Sequence, residues 1–263
     1  TFLGGIFMAN TSKYYGENGI HRVPLWRIAG FAFNNTATNL YLVLMNFVSY
    51  YLMGFVGVGM VTASSLAMIM RIWDGVTDPF IGYAVDKTNG KLGKNRPFMI
   101  IGNVILCVMS YVMLHMTHKI SDSTSVKFAF FIVCEAIYYV GYTFQCVVTK
   151  SAQSCLTNDP KQRPLFASFD GVYNTILFAG VGILTPIIAN SSGGYDSEKF
   201  FHTMWLIVAI SSAVLTAIAF ISIAPKDRSE FFGTGKAVKV GLKDYWDTLK
   251  GNRAIQMLVI SAS

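Results

Sequence analysis

Three charged side chains lie inside an apolar stretch of this 263-residue chain. They are Arg71, Asp74 and Asp78, within the run from residue 51 to 85. A charge at the centre of a bilayer costs roughly 2.5–3.5 kcal/mol on insertion scales, so such groups pair or face a hydrated cavity. At about 100° per residue, the three fall within about 60° of one another on a helix. Two carboxylates and a guanidinium on one stripe of a membrane helix predict an ion or substrate path.

The stretches around these residues indicate the class of protein. The chain is 53% hydrophobic and 13% charged, with a mean hydropathy of +0.46, whereas soluble domains carry about 25% charged residues. About 20 apolar residues cross a bilayer as a helix, so we predict an all-α, polytopic membrane protein, placed in the plasma membrane. The six stretches of sufficient length, called spans one to six, cover residues 25–53, 57–85, 97–116, 126–151, 165–189 and 200–224.

The order of the segments suggests one half of a larger transporter. A seventh apolar stretch begins at Ala254 and stops at Ser263, too short to span a membrane. A long connection after six spans is typical of transporters built from two repeats. The predicted organisation is a cytoplasmic N-terminal segment (1–24), a six-helix domain (25–224), a cytoplasmic linker (225–253) with an amphipathic helix over 240–249, and the start of a seventh helix (254–263). The C-terminal half of the transporter is expected to be missing from this chain.

The charge of the chain points to membrane orientation and not to nucleic acid. The net charge is +7, and the basic residues concentrate before span one and in the loops after spans two, four and six. By the positive-inside rule, these segments and the N-terminus are cytoplasmic. The four cysteines contain no Cys-x-x-Cys pair, so they form neither a disulfide framework nor a structural metal site.

Four of the spans carry polar stripes, which predict a shared hydrated cavity. Spans three and six have almost no such stripe, so we place them toward lipid. The alternative is that the amides and tyrosines only bond helix to helix. The stripes are Asn35, Asn39, Asn46 and Tyr50 in span one; Ser64, Arg71, Asp74 and Asp78 in span two; Glu135, Tyr138, Tyr142, Gln145 and Thr149, with Lys150 at the inner end, in span four; and Asp170, Tyr173 and Asn174 in span five.

A motif runs from span two into the loop after it. It comprises Arg71-Ile72-Trp73-Asp74, Asp78-Pro79, Gly82, Asp86, Gly93-Lys94 and Arg96-Pro97. This motif resembles the signature of the glycoside–pentoside–hexuronide:cation symporters, the melibiose-permease-like branch of the major facilitator superfamily. The similarity runs from about residue 30 to 263 and is most specific in span two. Weaker matches are Tyr142-Thr143, Ser151, Thr157, Asp159 and Asn252-Arg253.

This resemblance implies a twelve-helix transporter that works by alternating access. The chain would supply the six-helix N-terminal bundle and the start of the second half. In the family, the carboxylates matching Asp74 and Asp78 bind the coupling Na⁺, Li⁺ or H⁺. Hard cations prefer oxygen ligands, and one of two adjacent carboxylates can retain a proton. A structural pairing of Arg71 with Asp74 as i,i+3 neighbours is the alternative.

Departures from the family pattern leave the substrate open. Sugar-transporting relatives carry an acid on helix one close to Thr38, an acid or amide matching Cys146, and an arginine near Asp170. Lys150 is a cation gained at the inner end of span four. It would anchor an anionic substrate, pair with Asp74 or Asp170 in place of the metal ion, or extend to the membrane surface.

The resemblance also implies a cytoplasmic gate formed by Gly82, Asp86, Lys94 and Arg96 against the other half. Asp86 ends a helix, where the negative end of the helix dipole disfavours a carboxylate, so a functional role is the first interpretation. A solvated surface charge is the alternative.

The leading hypothesis is therefore a secondary transporter that moves a sugar, glycoside or hexuronide-like solute with H⁺ or Na⁺. We expect no enzymatic activity and no cofactor or structural metal beyond the coupling ion, with a possible Na⁺ at Asp74 and Asp78. An intramembrane aspartyl protease is excluded because both aspartates lie on one span and no Gly-x-Gly-Asp motif is present. The alternatives are a lysolipid carrier of the same fold and a non-transporting membrane subunit. The expected partners are the substrate, the cation, the bilayer and the C-terminal six-helix half. The predicted cavity residues are Asn39, Asn46, Tyr50, Arg71, Tyr142, Gln145, Lys150, Asp170, Tyr173 and Asn174.

Overall fold

Six long helices make up the described part of the chain in the computed structural model, which describes residues 20–88, 90, 92–228 and 251–252. No strand occurs among these residues, only an isolated bridge between Gly90 and Gly93. The predicted all-α membrane fold is confirmed. The helices are Leu25–Met45 (α1), Met60–Lys87 (α2), Arg96–His115 (α3), Thr124–Leu156 (α4), Arg163–Ser192 (α5) and Glu198–Ile223 (α6).

The chain divides into two compact units, residues 1–232 and 233–263. The six helices belong to the first unit. Of the second unit, the structure describes residues 251–252 alone. The predicted amphipathic helix at 240–249 and the seventh helix at 254–263 lie outside the described residues.

The helix ends follow local chemistry. Pro97 and Pro164 lie in the first turns of α3 and α5, where a missing N–H costs nothing. The hydroxyl of Ser197 caps α6 by accepting a hydrogen bond from the Phe200 N–H at 3.1 Å. The first span extends beyond α1 through a helical turn (Val48–Tyr51) and a π-helical turn (Leu52–Val56), longer than predicted.

Among the described residues, five segments are long and apolar enough to cross a membrane: Leu25–Val56, Arg96–Lys119, Thr124–Leu156, Arg163–Ser192 and Glu198–Ile223. The 28-residue α2 is not among them. It is about 42 Å long at 1.5 Å per residue, and its charged side chains lower its hydropathy. α2 is therefore long enough to cross a membrane but carries charged side chains along its length.

The packing leaves α2 and α5 on the flanks of the bundle. α1 packs against α6 and α5, and α4 packs against α3 and α2, while α1 also contacts α4. α5 buries only 11% of its apolar window, against 33–44% for the other four membrane-length segments. The residues that α2 and α5 bury are few: Ala63, Leu66, Met70, Ile81 and Val85 in α2, and Phe166, Thr185 and Ala189 in α5. Most of the surface of these two helices is therefore open.

Spans three and six, which we placed toward lipid because neither has a polar stripe, nevertheless share polar contacts with each other. Asn103 of α3 donates to Ser212 at 2.6 Å and to Thr216 at 3.0 Å, both on α6. A single asparagine opposite two small hydroxyl residues forms no visible stripe in either sequence. The pairing becomes evident only when the two helices lie side by side.

Candidate functional site

Asp74 of α2 is held against α4. The Thr143 hydroxyl donates to Asp74 Oδ1 at 2.7 Å. The Thr77 hydroxyl donates to the Asp74 carbonyl at 3.0 Å and lies 3.5 Å from the Thr143 hydroxyl. Directly before Asp74, Trp73 donates from Nε1 to the Ala136 carbonyl of α4 at 3.0 Å. These bonds fix the polar stripe of α2 on α4.

Asp78 and Lys150 complete a charged cluster with Asp74, called here the Asp74 cluster (Asp74, Asp78, Thr143 and Lys150). The Lys150 ammonium interacts electrostatically with both carboxylates. No N–O distance within 4.0 Å joins Lys150 to either acid among the described ion pairs. Asp78 and Lys150 are exposed and Asp74 is half-buried, so the cluster lies on the open side of the six-helix bundle.

Arg71 does not form the structural pair that its spacing allowed. It is exposed, and no carboxylate lies within 4.0 Å of it in the described part of the chain. Its charge acts instead on Tyr139 of α4. The Asp74 carboxylate instead accepts a hydrogen bond from Thr143.

Polar contacts also connect α1 with α4 and α5. Asn39 Nδ2 donates to Asn174 Oδ1 at 2.8 Å, and Tyr173 stacks on Phe33 with ring centroids 4.4 Å apart. Asp170 lies beside Asn35, and its Oδ1 is buried with no hydrogen-bond partner among the described residues. Asn39, Asn174 and Tyr173 thus occupy the contact between α1 and α5.

Three predicted cavity residues, Gln145, Asn46 and Tyr50, lie outside both the Asp74 cluster and the contact between α1 and α5. Gln145 is buried, and its Nε2 donates to the Met99 carbonyl of α3 at 2.7 Å, so it lies in the contact between α3 and α4. Asn46 and Tyr50 are exposed near the far end of the first span, where the Tyr50 ring lies 5.6 Å from that of Tyr195. Tyr142 remains near the Asp74 cluster, because it interacts with both Cys146 and Asp74.

The basic loops lie at one end of the bundle, called the basic end (residues 20–24, 86–88, 92–96, 157–163 and 224–228). There Lys94 forms an ion pair with Asp86. Asp86 is exposed and Gly82 is partly exposed, with nothing within 4 Å of an added Cβ. Arg96 Nε lies 3.5 Å from Asp227 Oδ2. Of the four predicted gate residues, Asp86 and Lys94 therefore pair with each other, and Arg96 lies beside Asp227.

Asp227 is a buried residue that the sequence analysis missed. It follows α6, and its carboxylate accepts hydrogen bonds from the backbone N–H groups of Lys94 (3.1 Å), Asn95 (3.1 and 3.2 Å) and Arg96 (2.9 Å). The Asn95 side chain adds a further bond at 3.0 Å. These N–H groups lie at the start of α3, where the helix leaves donors unsatisfied. In sequence, Asp227 stands between two basic residues and resembles a solvated linker charge.

A second junction at the basic end connects the N-terminal segment to the loop after α4. Thr157 donates to the His21 carbonyl at 2.9 Å, and the His21 N–H donates to Asn158 at 2.8 Å. Arg22 pairs with Asp159. The Lys161 N–H and the Arg22 guanidinium lower the pKa of Asp159, and burial lowers the pKa of His21. The junction therefore stabilises neutral His21 and ionised Asp159, so its stability falls as the pH is lowered and these groups take up protons.

Comparison with known proteins places this geometry in context. Residues 30–263 match the family described as MFS/sugar transport protein. The chain is 26% identical over 245 residues to a glucuronide carrier protein homolog of Escherichia coli K12, covering 90% of the chain and 50% of that protein. It is 24% identical over 235 residues to an isoprimeverose transporter of Lactiplantibacillus pentosus (84% and 46%), and 24% identical over 204 residues to a lactose permease of Leuconostoc lactis (75% and 32%). The chain spans about half the length, or less, of these relatives.

Proposed function

The chain belongs to the MFS/sugar transport protein family, and on that premise we propose that it forms one six-helix half of a cation-coupled symporter. The substrate is a small polar solute of the sugar, glycoside or hexuronide type, carried by alternating access. The three relatives are named as a carrier, a transporter and a permease, which supports a protein that moves its substrate unchanged.

The observation that carries this proposal is the Asp74 cluster on the open side of the bundle. Two acids and a lysine in helices of membrane length are costly unless they face water or a charged ligand. The exposed flanks of α2 and α5 support the presence of a second six-helix half. A cavity between the two halves would then contain the cluster.

The residues of the cluster fit a small hard cation. Asp74, Asp78 and Thr143 offer oxygen atoms, the donors that such cations prefer. Lys150 adds a positive charge near both acids, which weakens their attraction for a metal ion and for a proton alike. We therefore propose Asp78 as the main coupling residue and Asp74 as its partner, with H⁺ or Na⁺ as the coupling ion.

We further propose that the basic end faces the cytoplasm of the cell whose plasma membrane holds the protein, in line with the positive-inside rule. Gly82, Asp86, Lys94 and Arg96 would then form the inner gate against the second half. The Asp86–Lys94 pair supports a shared role for the two residues.

A substrate screen tests the proposal. The full-length protein containing this chain is reconstituted in proteoliposomes, and uptake of labelled glycosides and glucuronides is measured under an imposed Na⁺ or pH gradient. We expect one of the two gradients to drive accumulation of a sugar derivative above its external concentration. Movement of lysolipid alone would favour a carrier of amphiphiles, and no accumulation of any solute would favour a non-transporting subunit. Either result overturns the proposal.

The Asp78→Asn variant tests the residue assignment. We expect it to abolish gradient-driven accumulation while some energy-independent exchange remains, because the amide can neither bind a proton nor contribute a charge to cation binding. Asp122→Asn is the matched control, since Asp122 is an exposed acid in the loop before α4. Unchanged uphill uptake in Asp78→Asn would remove Asp78 from the coupling site.

A further inference from the structure

A second membrane carboxyl, Glu135, lies in α4 outside the Asp74 cluster. Its side chain is 3% exposed, and its Oε2 atom is buried without a hydrogen-bond partner among the described residues. None of the described basic groups lies within 4.0 Å of it. The gate, the α1–α5 contact and the cation site proposed above make no use of this residue.

The titratable neighbours of Glu135 are tyrosines. Tyr138 and Tyr139, one turn further along α4, both interact with it electrostatically. Tyr138 is fully buried and its hydroxyl also has no partner within the described residues. Tyr41 of α1 and Tyr142 of α4 act on Tyr138 in turn.

The other segments around α4 contribute further titratable groups. From α2, Asp74 and Arg71 interact with Tyr139, so this tyrosine interacts with both the Asp74 cluster and Glu135. From α3, Cys107 interacts with Tyr41. Toward the end opposite the basic end, Phe131 precedes Glu135 by one turn and stacks on Tyr51, whose hydroxyl lies 3.0 Å from His118 Nδ1.

These surroundings favour the neutral acid. A carboxylate that is buried without a hydrogen bond or a positive partner loses its hydration and gains nothing in return. The protonated carboxyl avoids this cost.

We propose that Glu135 is a proton-binding site of the transport cycle. It holds a proton in the conformation described and releases it to water when the helices rearrange and hydrate the carboxyl. On return, an O–H bond forms again with a proton taken from water. Glu135 precedes Thr143 by eight residues, which places it about 12 Å along α4 from the Asp74 cluster, away from the basic end. The inference rests on the proposed symport and deepens it, because it makes H⁺ a transported ion.

An infrared measurement tests the protonation directly, without a substrate. The full-length protein in lipid bilayers at neutral pH is compared with Glu135→Gln in the region of the carbonyl stretch of a protonated carboxylic acid. We expect a band that Glu135→Gln lacks and that Glu198→Gln retains, since Glu198 is exposed and pairs with Lys119 at 2.7 Å. If Glu135→Gln does not fold, Glu135→Asp is expected to keep the band at a shifted frequency. An unchanged band in the foldable variant would overturn the proposal.

A transport measurement tests the role in the cycle. We expect the accumulation driven by a pH gradient to fall at least tenfold in Glu135→Gln, with substrate exchange at equal pH retained. Accumulation equal to that of the unmodified protein would overturn the role. Absence of uptake by the unmodified protein would instead contradict the proposed symport, while the infrared band would still decide whether Glu135 binds a proton.

Discussion

Lys150 decides the net charge of the Asp74 cluster. With both acids ionised and Lys150 protonated, the cluster carries one negative charge, and without Lys150 it carries two. The lysine is exposed in the part of α4 nearer the basic end and acts on both Asp74 and Asp78. Of the three roles that the sequence left open, we propose replacement of a metal ion by a fixed ammonium, because the Lys150 charge acts on both carboxylates.

We predict that Lys150→Gln gains a dependence on Na⁺. The additional net negative charge should strengthen cation binding about tenfold, which corresponds to about 1.4 kcal/mol. Uptake in proteoliposomes at increasing Na⁺ concentration measures this change. Lys127→Gln, on the same helix but near its other end, is the control.

The other two roles of Lys150 give different outcomes in the same experiment. Loss of binding for glucuronides, with neutral glycosides unaffected, would indicate an anchor for an anionic substrate. Transport and ion dependence equal to those of the unmodified protein would leave a lysine that only reaches the membrane surface.

At the scale of helices, Asp227 connects the end of α6 to the start of α3 by hydrogen bonds. Its carboxylate satisfies backbone N–H groups that the first turn of α3 cannot satisfy itself, and the negative charge lies at the positive end of that helix. Gly93 adopts φ +90, and an added Cβ there would overlap Asp227. Only glycine fits this turn.

We predict that Asp227→Ala destabilises the bundle by about 3–5 kcal/mol, the range typical of removing one partner from a buried ion pair. The thermal unfolding midpoint of the protein in detergent, followed by tryptophan fluorescence, measures the loss. Asp122→Ala removes an exposed acid and should leave the midpoint unchanged. Equal midpoints for the two variants would contradict a structural role for Asp227.

The contact between α3 and α4 depends on a close backbone approach. A Cβ added to Gly141 would lie 2.7 Å from Ile105 Cγ2 and 3.1 Å from the Gly102 carbonyl oxygen. Small residues at such crossings let membrane helices pack closely. The Gln145–Met99 bond belongs to this same contact.

We predict that Gly141→Ala costs about 1–3 kcal/mol, as overpacking of a well-packed interface does. Gly171→Ala, in α5, is a suitable control because nothing lies within 4 Å of its added Cβ. That control should be neutral or slightly stabilising, since alanine favours helix more than glycine does. The same unfolding measurement in detergent separates the two, and equal effects would exclude close packing as the cause.

At the scale of the whole molecule, the open flanks of α2 and α5 and the Asp86–Lys94 ion pair at the basic end are the surfaces that the proposed second half would contact. The bundle leaves its charged helix uncovered, so the proposed second half would have to cover it during part of the cycle. Asp86 and Lys94 lie where the proposed inner gate would close.

We predict that Asp86→Ala loosens this closure. Cys146, on α4 beside the Asp74 cluster, should then react faster with a membrane-impermeant thiol reagent applied to the cytoplasmic face of inside-out vesicles. Mass spectrometry of the labelled peptide gives the rate, and Asp122→Ala serves as the control. An unchanged labelling rate would argue for a plain surface charge at Asp86.

Much of this organisation follows from the sequence because membrane helices are specified locally. A run of apolar residues of sufficient length dictates a helix wherever the chain passes through lipid, so the six spans, the all-α fold and the family could be inferred without coordinates. The charged stripe of α2 was equally visible, since Arg71, Asp74 and Asp78 are close in sequence and share one helix face.

The tertiary structure decided which polar residues face the open site and which join helices. Tyr142 and Gln145 belong to one predicted stripe, yet Tyr142 interacts with Asp74 while Gln145 bonds to α3. The stripe on a helix is known from sequence, but its rotation toward a neighbour depends on packing, such as the close approach at Gly141. Asp227 shows the same limit over a longer range: its partners lie more than 130 residues away in the chain, and only the docking of α6 beside α3 converts a linker charge into a buried anchor.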